Sequence, residues 1–232
     1  NGSADVGVLP LDNSTAGTVG AVYDLLIHYN LSIVRADTRR IRHCLVGLRD
    51  ANAQYVTHVY SHPQALAQCA GYLKAHNILP LQEVNTAVAA KRILALSDPT
   101  VAAVASHETA QLYGLKILDS DINDNSCNQT RFICIARELE NAENANRISV
   151  AFNLPNECGA LSALLATLAD SGVSLSKIMS RPIPDTPWEY IFYADLEGNL
   201  ENAALRGVLY QLRCETPSLI LLGVYPESGA AQ

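Results

Sequence analysis

The chain reads as an α/β protein in two parts, and three observations predict this. Through the first 137 residues, apolar runs of strand length alternate with segments whose apolar positions repeat at the helical period. The run Glu138–Asn146, ELENAENAN, is polar and aperiodic, which marks it as a linker. Beyond it, residues 147–226 carry the order βαββαβ, a ferredoxin-like layout, with residues 227–232 left as a tail. At 232 residues, 49% apolar and 17% charged, the chain suffices for one large domain or two modest ones, each with its own core.

Val6–Leu11 is a short buried strand. A polar turn, Asp12–Gly17, leads to a helix with Val19, Val22, Leu25, Leu26 and Tyr29 on its apolar face. A strand, a Gly-containing turn and a helix start offer backbone N–H groups to an anion, and they serve equally as a plain connection. Leu31–Leu48 alternates at Ile33/Arg35 and again over Arg39–Leu45, as expected of strands crossing between lobes. Arg35, Arg39, Arg40, Arg42 and Arg49 form the only basic cluster, read as a solvated face or salt-bridge patch ahead of an anion site. Val56–Ser61 is a strand, and Ser61 is placed to cap the next helix, with Pro63 in its first turn and Leu66, Cys69 and Leu73 facing inward. Seven residues separate Ser61 from Gln68, so both fall on one side of that helix start. Asn85 or Thr86 caps an Ala-rich helix running through Leu96. Val101–Ala105 is a buried strand, and Ser106 caps a short helix that Gly114 ends.

The rest of the first part answers to Ile117–Arg137. Its first half, dense in Asp and Asn, reads as a loop; Phe132, Cys134 and Ala136 then alternate as a strand does. Thr130 and Arg131 thus set a hydroxyl and a guanidinium where a polar loop enters a buried strand, a good seat for a catalytic group. The plainer reading is a Thr that merely starts the strand.

In the second part, Ile148–Phe152, Val173–Ile183, Trp188–Leu196 and Ser218–Tyr225 read as strands, and Gly159–Ala169 and Leu200–Leu212 as helices. Asp170-Ser171-Gly172 stops the first helix, and Pro182–Pro187 makes the hairpin connection.

The formal net charge of -7, with no Lys/Arg block, argues against nucleic acid and anionic membranes as partners. Six scattered cysteines without ligand spacing, and six dispersed histidines, point to reduced core thiols and to no metal. No apolar run reaches the roughly 18 residues of a membrane span.

Several of these stretches resemble the prephenate dehydratase family. Asn128-Gln129-Thr130-Arg131-Phe132 resembles its threonine-arginine-phenylalanine motif, and LPLDNSTAGTVGAVYDLL the segment that usually reads Pro-Ile-Glu-Asn-Ser, with Asp12 in place of Glu. SHPQALAQCAGYL resembles the stretch whose serine and second glutamine contact substrate, and Asn85-Thr86-Ala87 the family's Ser-Thr-Ala. The second part resembles the family's ACT regulatory domain, through Gly159-Ala160-Leu161-Ser162, Ser180-Arg181-Pro182 and the run from Pro187 to Tyr193. Met179 stands where Glu usually precedes Ser-Arg-Pro.

The resemblance implies a two-lobed catalytic domain over residues 1–137, like periplasmic binding proteins, and an ACT domain over residues 147–226. It also implies that the first lobe is N-terminally incomplete, since the family carries a Gly-rich strand-helix turn before this point. The implied reaction converts prephenate to phenylpyruvate, carbon dioxide and water without any cofactor. Thr130, Asn13, Ser61 and Gln68 inherit catalytic roles, and Ser14, Asn85, Thr86, Arg131 and Phe132 substrate contacts. Gly159, Ala160, Leu161, Ser180, Arg181 and Pro182 inherit an L-phenylalanine effector site, with ACT contacts building a homodimer or homotetramer. The cytoplasm, or the plastid stroma in a plant, is the expected compartment. Two alternatives stay open: arogenate dehydratase, and a non-catalytic amino-acid sensor.

Overall fold

The computed structural model describes residues 4–183, 186 and 188–229. Pro184, Asp185 and Pro187 of the expected hairpin connection lie outside the described residues, as do Asn1–Ser3 and residues 230–232 of the expected tail. In chain order the first elements are β1 (Gly7–Asn13), β2 (Gly17–Thr18), α1 (Gly20–His28), β3 (Ser32–Arg40) and β4 (Cys44–Gly47). Next come β5 (His58–Ser61), α2 (Pro63–Ala67), α3 (Ala70–Ala75), β6 (Leu79–Gln82), α4 (Thr86–Leu96), β7 (Val101–Ala105), α5 (His107–Tyr113) and β8 (Lys116–Asp119). The remainder are β9 (Gln129–Ala136), β10 (Arg147–Asn153), α6 (Ala160–Asp170), β11 (Leu175–Pro182), β12 (Tyr190–Glu197), α7 (Ala203–Glu215), β13 (Leu219–Tyr225) and β14 (Glu227–Ser228). Two compact units result: residues 40–128, and the flanking stretches up to Arg39 and from Gln129 onward.

The unit of residues 40–128 is a five-stranded sheet in the order β6-β5-β7-β4-β8. β5 runs parallel to β6 and β7, and β4 antiparallel to β7 and β8. Helices cover both faces. Leu66, Cys69 and Leu73 pack with Leu45, Val59 and Val104 on one side; Ala89, Ala90, Ile93 and Ala110 pack with Val46, Ala103 and Ala105 on the other. Double coverage explains why β4 and β7 read as continuous apolar runs instead of alternating.

Several local readings are corrected here. The strand expected over Arg39–Leu45 is broken at Ile41–His43, with Arg40 ending β3 and Cys44 opening β4. The stretch after Ile117 begins as strand, not loop, because Ile117 and Leu118 pack into the two cores and Ile117 and Asp119 pair with β4. His62, not Ser61, caps the helix: its Nδ1 accepts from Gln64 N at 3.2 Å. The single helix expected after it is two, parted at Gln68 and Cys69. A break exposes new N–H groups, and the Asp124 carboxylate takes those of Gly71 at 2.9 Å and Tyr72 at 3.3 Å. Asn85 caps α4, and Ser106 and Gly114 bound α5 as the sequence suggests. The basic cluster is partly neutralised by short-range partners, Arg39 by Asp37 at 2.5 Å and Arg42 by Asp121 at 3.5 Å.

The second unit is built on a nine-stranded sheet whose main path is β11-β12-β10-β13-β3-β9-β1-β2, with β14 pairing β3. The strands β10, β11, β12 and β13 with α6 and α7 make the ferredoxin-like βαββαβ, its antiparallel register running from Arg147↔Glu197 to Asn153↔Ile191 on one side of β10. Ile148, Val150 and Phe152 bury against Leu164, Leu168, Leu205, Val208 and Leu212 of the two helices. On the rest of the sheet Val22, Tyr23 and Leu26 of α1 pack with Leu11, Ile33, Ile133, Tyr193 and Tyr225. β13 meets β3 in parallel at Gly223↔Ile33, where a Cβ on Gly223 would run into the Ile33 carbonyl oxygen. Glycine is what lets the two strands approach there.

The polar run 138–146 forms no helix or regular strand, but it is tied down. Asn141 bridges Val224, Asn146 Nδ2 donates to Glu227 O at 3.0 Å, and Asn146 Oδ1 accepts from Glu227 N at 2.7 Å. The stretch read as a tail opens with β14, which lies beside Ala36 and Asp37.

Candidate active site

β1 and β9 pair antiparallel, with Asn13 opposite Thr130, Asp12 opposite Arg131 and Pro10 opposite a half-buried Phe132. The register shifts between Pro10 and Asp12, so Leu11 is the extra residue of a bulge and is fully buried. Asn13 Oδ1 accepts from Thr15 N at 3.0 Å and Ala16 N at 2.7 Å. That turn fixes which way the amide faces, because its oxygen is committed to two backbone donors. Its nitrogen therefore points to β9, donating to Thr130 Oγ1 at 2.8 Å and to Gln129 O at 3.2 Å. Thr130 is 8% exposed. Since its oxygen accepts from Asn13, its own O–H is the donor that the pair directs onward. Ser14 reinforces the junction twice, with Ser14 N donating to Gln129 O at 2.9 Å and Gln129 N to Ser14 Oγ at 2.9 Å.

Arg131 points to the other face of the sheet, as alternation along a strand requires. Its Nη1 lies 2.6 Å from Asp195 Oδ2 and 3.6 Å from Asp12 Oδ2, and its Nη2 donates to the Tyr225 hydroxyl at 2.9 Å. Its Nε sits 2.5 Å from Glu227 Oε1, an ion pair with the N–H directed off the oxygen. Asp12 is also paired with Lys177. The guanidinium is thus taken up by carboxylates of this chain.

The remaining candidates of the first part lie in the 40–128 unit. Ser61 is fully buried, its hydroxyl donating to Val104 O at 2.7 Å. Gln68 Oε1 lies 2.9 Å from His43 Nε2. Burial holds His43 below the usual imidazole range, against the pull of that bond, so the ring is neutral and donates from Nε2 to the amide oxygen. The Gln68 NH2 is then the end turned away. Asn85 spends its side-chain oxygen on Val88 N at 2.8 Å, with Thr86 as the first residue of α4. His43 was missed by sequence reading; its one signal was an imidazole at the mouth of an all-apolar strand.

The family model for prephenate dehydratase matches residues 1–140. The chain belongs to the prephenate dehydratase family. It is 35% identical over 229 residues to the bifunctional chorismate mutase/prephenate dehydratase of Enterobacter agglomerans, a match covering 97% of this chain and 59% of that protein. It is 36% identical over 233 residues to a chloroplastic arogenate dehydratase/prephenate dehydratase of Arabidopsis thaliana, covering 96% of this chain and 61% of that protein. The chain thus spans about three fifths of the length of the curated relatives it matches. Among solved structures, the prephenate dehydratase of Arthrobacter aurescens in complex with L-Phe is 30% identical with a TM-score of 0.83, covering 97% of this chain and 76% of that one. A protein described as a novel type of quorum quenching acylase is 31% identical with a TM-score of 0.87, covering 97% and 83%.

In this member of the prephenate dehydratase family the ferredoxin-like part holds a cavity of about 540 Å³, lined among others by Ala160, Leu161, Trp188, Tyr190, Glu157 and Glu189. Gly159 caps α6 at φ 90, a backbone setting in which glycine carries no strain. Ser180, Arg181 and Pro182 end β11, and Arg181 grips Asp24 of α1 with two bonds of 2.8 and 2.6 Å. Met179 packs on the apolar core between β1 and α1. Among the described residues no group of His, Cys, Asp and Glu is arranged to hold a metal ion, and no helix is long and apolar enough to cross a membrane. All six cysteines are free, and burial pushes the Cys69 thiol up to about 12.

Proposed function

We propose that the chain catalyses the decarboxylative dehydration of prephenate to phenylpyruvate, under feedback by L-phenylalanine. The observation that carries this reading is the bond from Asn13 Nδ2 to Thr130 Oγ1, 2.8 Å long on a rigid strand pair. In the reaction the bond from the ring to its carboxylate breaks and carbon dioxide departs. The electron pair aromatises the ring and expels the C4 hydroxyl, which takes up one proton from solvent and leaves as water. Thr130 donates its O–H to the departing oxygen as charge gathers there, and Asn13 holds that hydroxyl in place. Threonine is too weak an acid to protonate outright, so aromatisation drives the step and Thr130 aims it. Within the 40–128 unit, Gln68 is braced by His43 with its NH2 as the donor end, and Ser61, turned inward, supports the end of β5.

We take residues 1–137 as the catalytic portion and 147–226 as the regulatory portion. The cavity beside Leu161 and Tyr190 suits an apolar amino acid, with Glu157 and Glu189 available to its ammonium group in place of the Glu replaced by Met179. Assembly is through the regulatory portions, as dimer or tetramer. The free cysteines and the relatives' sources fit a cytoplasmic or plastid setting. An acyl-transfer reading gains nothing from Thr130, whose oxygen accepts from an amide and, among the described residues, is bonded to no base. The test is phenylpyruvate formation from prephenate, with arogenate in parallel. Turnover of prephenate supports the reading, turnover of arogenate alone transfers it to that substrate, and silence on both, with phenylalanine still bound, favours a sensor.

A further inference from the structure

We infer that Arg131 is a positioning residue: a half-buried ion cluster, centred on the buried Asp195, on the reverse face of the β1–β9 pair holds the register that sets Asn13 against Thr130. The inference rests on the proposed function only in taking Thr130 as the reacting side chain. Neighbours in a strand face opposite ways, so one register fixes both Asn13–Thr130 on the front and Asp12–Arg131 behind. That register is the vulnerable kind, because it follows directly on the bulge at Leu11. A slip of one residue there would move Asp12 to the front and Asn13 to the back.

The rear cluster opposes such a slip. Asp12 is held by Lys177 of β11 and faces Arg131 at 3.6 Å. Arg131 is held by Asp195 of β12 at 2.6 Å, by Glu227 of β14 at 2.5 Å and by the Tyr225 hydroxyl at 2.9 Å. The anchors are themselves fixed: Asp195 is 2% exposed and accepts from Ser149 Oγ at 2.5 Å, and Glu227 pairs with Arg147 at 2.6 Å. Three cations, Arg131, Arg147 and Lys177, face four carboxylates, Asp12, Asp195, Glu227 and, at the exposed rim beside Arg147, Glu197. A slipped register leaves a desolvated charge without its partner, which a protein interior resists. Every anchor outside β1 and β9 comes from beyond residue 146, so the C-terminal strands set the geometry of a side chain in the catalytic portion.

The experiment compares Arg131→Met, Arg131→Lys and Asp195→Asn with the parent chain, each assayed well below its own melting temperature. Expected is a fall in kcat of about tenfold or more for Arg131→Met with KM within about threefold, a similar direction for Asp195→Asn, and partial recovery in Arg131→Lys. Unchanged kcat in folded Arg131→Met overturns the inference, and so does a large rise in KM at retained kcat, which would make Arg131 a substrate ligand. Amide hydrogen exchange at Ser14 and Gln129 reads the register without any chemistry. Should the parent chain turn over neither substrate, undiminished protection of those amides in Asp195→Asn, the mildest variant, still overturns the inference, and lost protection upholds it.

Discussion

The amide of Asn13 is oriented before any substrate arrives, because two backbone N–H groups already hold its oxygen. Replacing Thr130 by Ala is therefore expected to cost kcat about a hundredfold with little change in KM, the pattern of a donor used only in the transition state. Steady-state kinetics on prephenate check this, with Thr130→Ser recovering much of the rate. Asn13→Asp should be nearly as severe, since a carboxylate oxygen facing Thr130 would draw its proton inward. His43 makes a prediction about pH. Its folded pKa lies below the ordinary 6.5, so the unfolded chain binds the proton more readily. Stability is then full above 6.5 and declines as the pH drops below it, and His43→Gln should flatten that decline in melting curves taken between about pH 7.5 and 5. The candidacy of Thr130 and Asn13 was legible in the motifs around each of them, though their contact across 117 residues was not. The fate of Arg131 was not: its partners Asp12, Asp195 and Glu227 are far away along the chain, and no local pattern announces a carboxylate 64 residues distant.

At the level of elements, the break between α2 and α3 shows what local periodicity leaves out. Leu66, Cys69 and Leu73 do face one core, which is why the stretch reads as a single helix. The interruption is made affordable by Asp124, which lies in the polar run before β9 and receives the orphaned N–H groups. Asp124→Ala should lower stability by about 1 kcal/mol, the usual worth of a lost cap, measurable by urea unfolding. The capping residue of α2 was misplaced by one position for a related reason. Ser61 looks like a cap in sequence, yet its hydroxyl is consumed by the Val104 carbonyl, a contact that exists only once β5 and β7 lie side by side.

For the whole molecule, the sequence order of strands and helices was enough to recognise an α/β chain with a ferredoxin-like end. It was not enough to show that this end joins the sheet carrying Asn13 and Thr130. That junction hangs on Gly223 and on a two-residue strand in what looked like a tail. Gly223→Ala is expected to destabilise by about 1–3 kcal/mol, as forced overpacking does, and to lower the melting temperature without loss of the 40–128 unit's hydrogen-exchange protection.

The division of the chain into units also dictates an order of construction. Residues 40–128 are contiguous, so this unit has all its strands as soon as Asn128 leaves the ribosome. The other unit is made of two pieces on either side of it, and its ladder closes only when β13 and β14 have been synthesised. Until then β3 has an open edge and Arg131 a half-built shell of charges. The strand with Thr130 is thus made early in the second stretch but secured last, so that a nascent or prematurely terminated chain carries the proposed catalytic motif without the means to aim it.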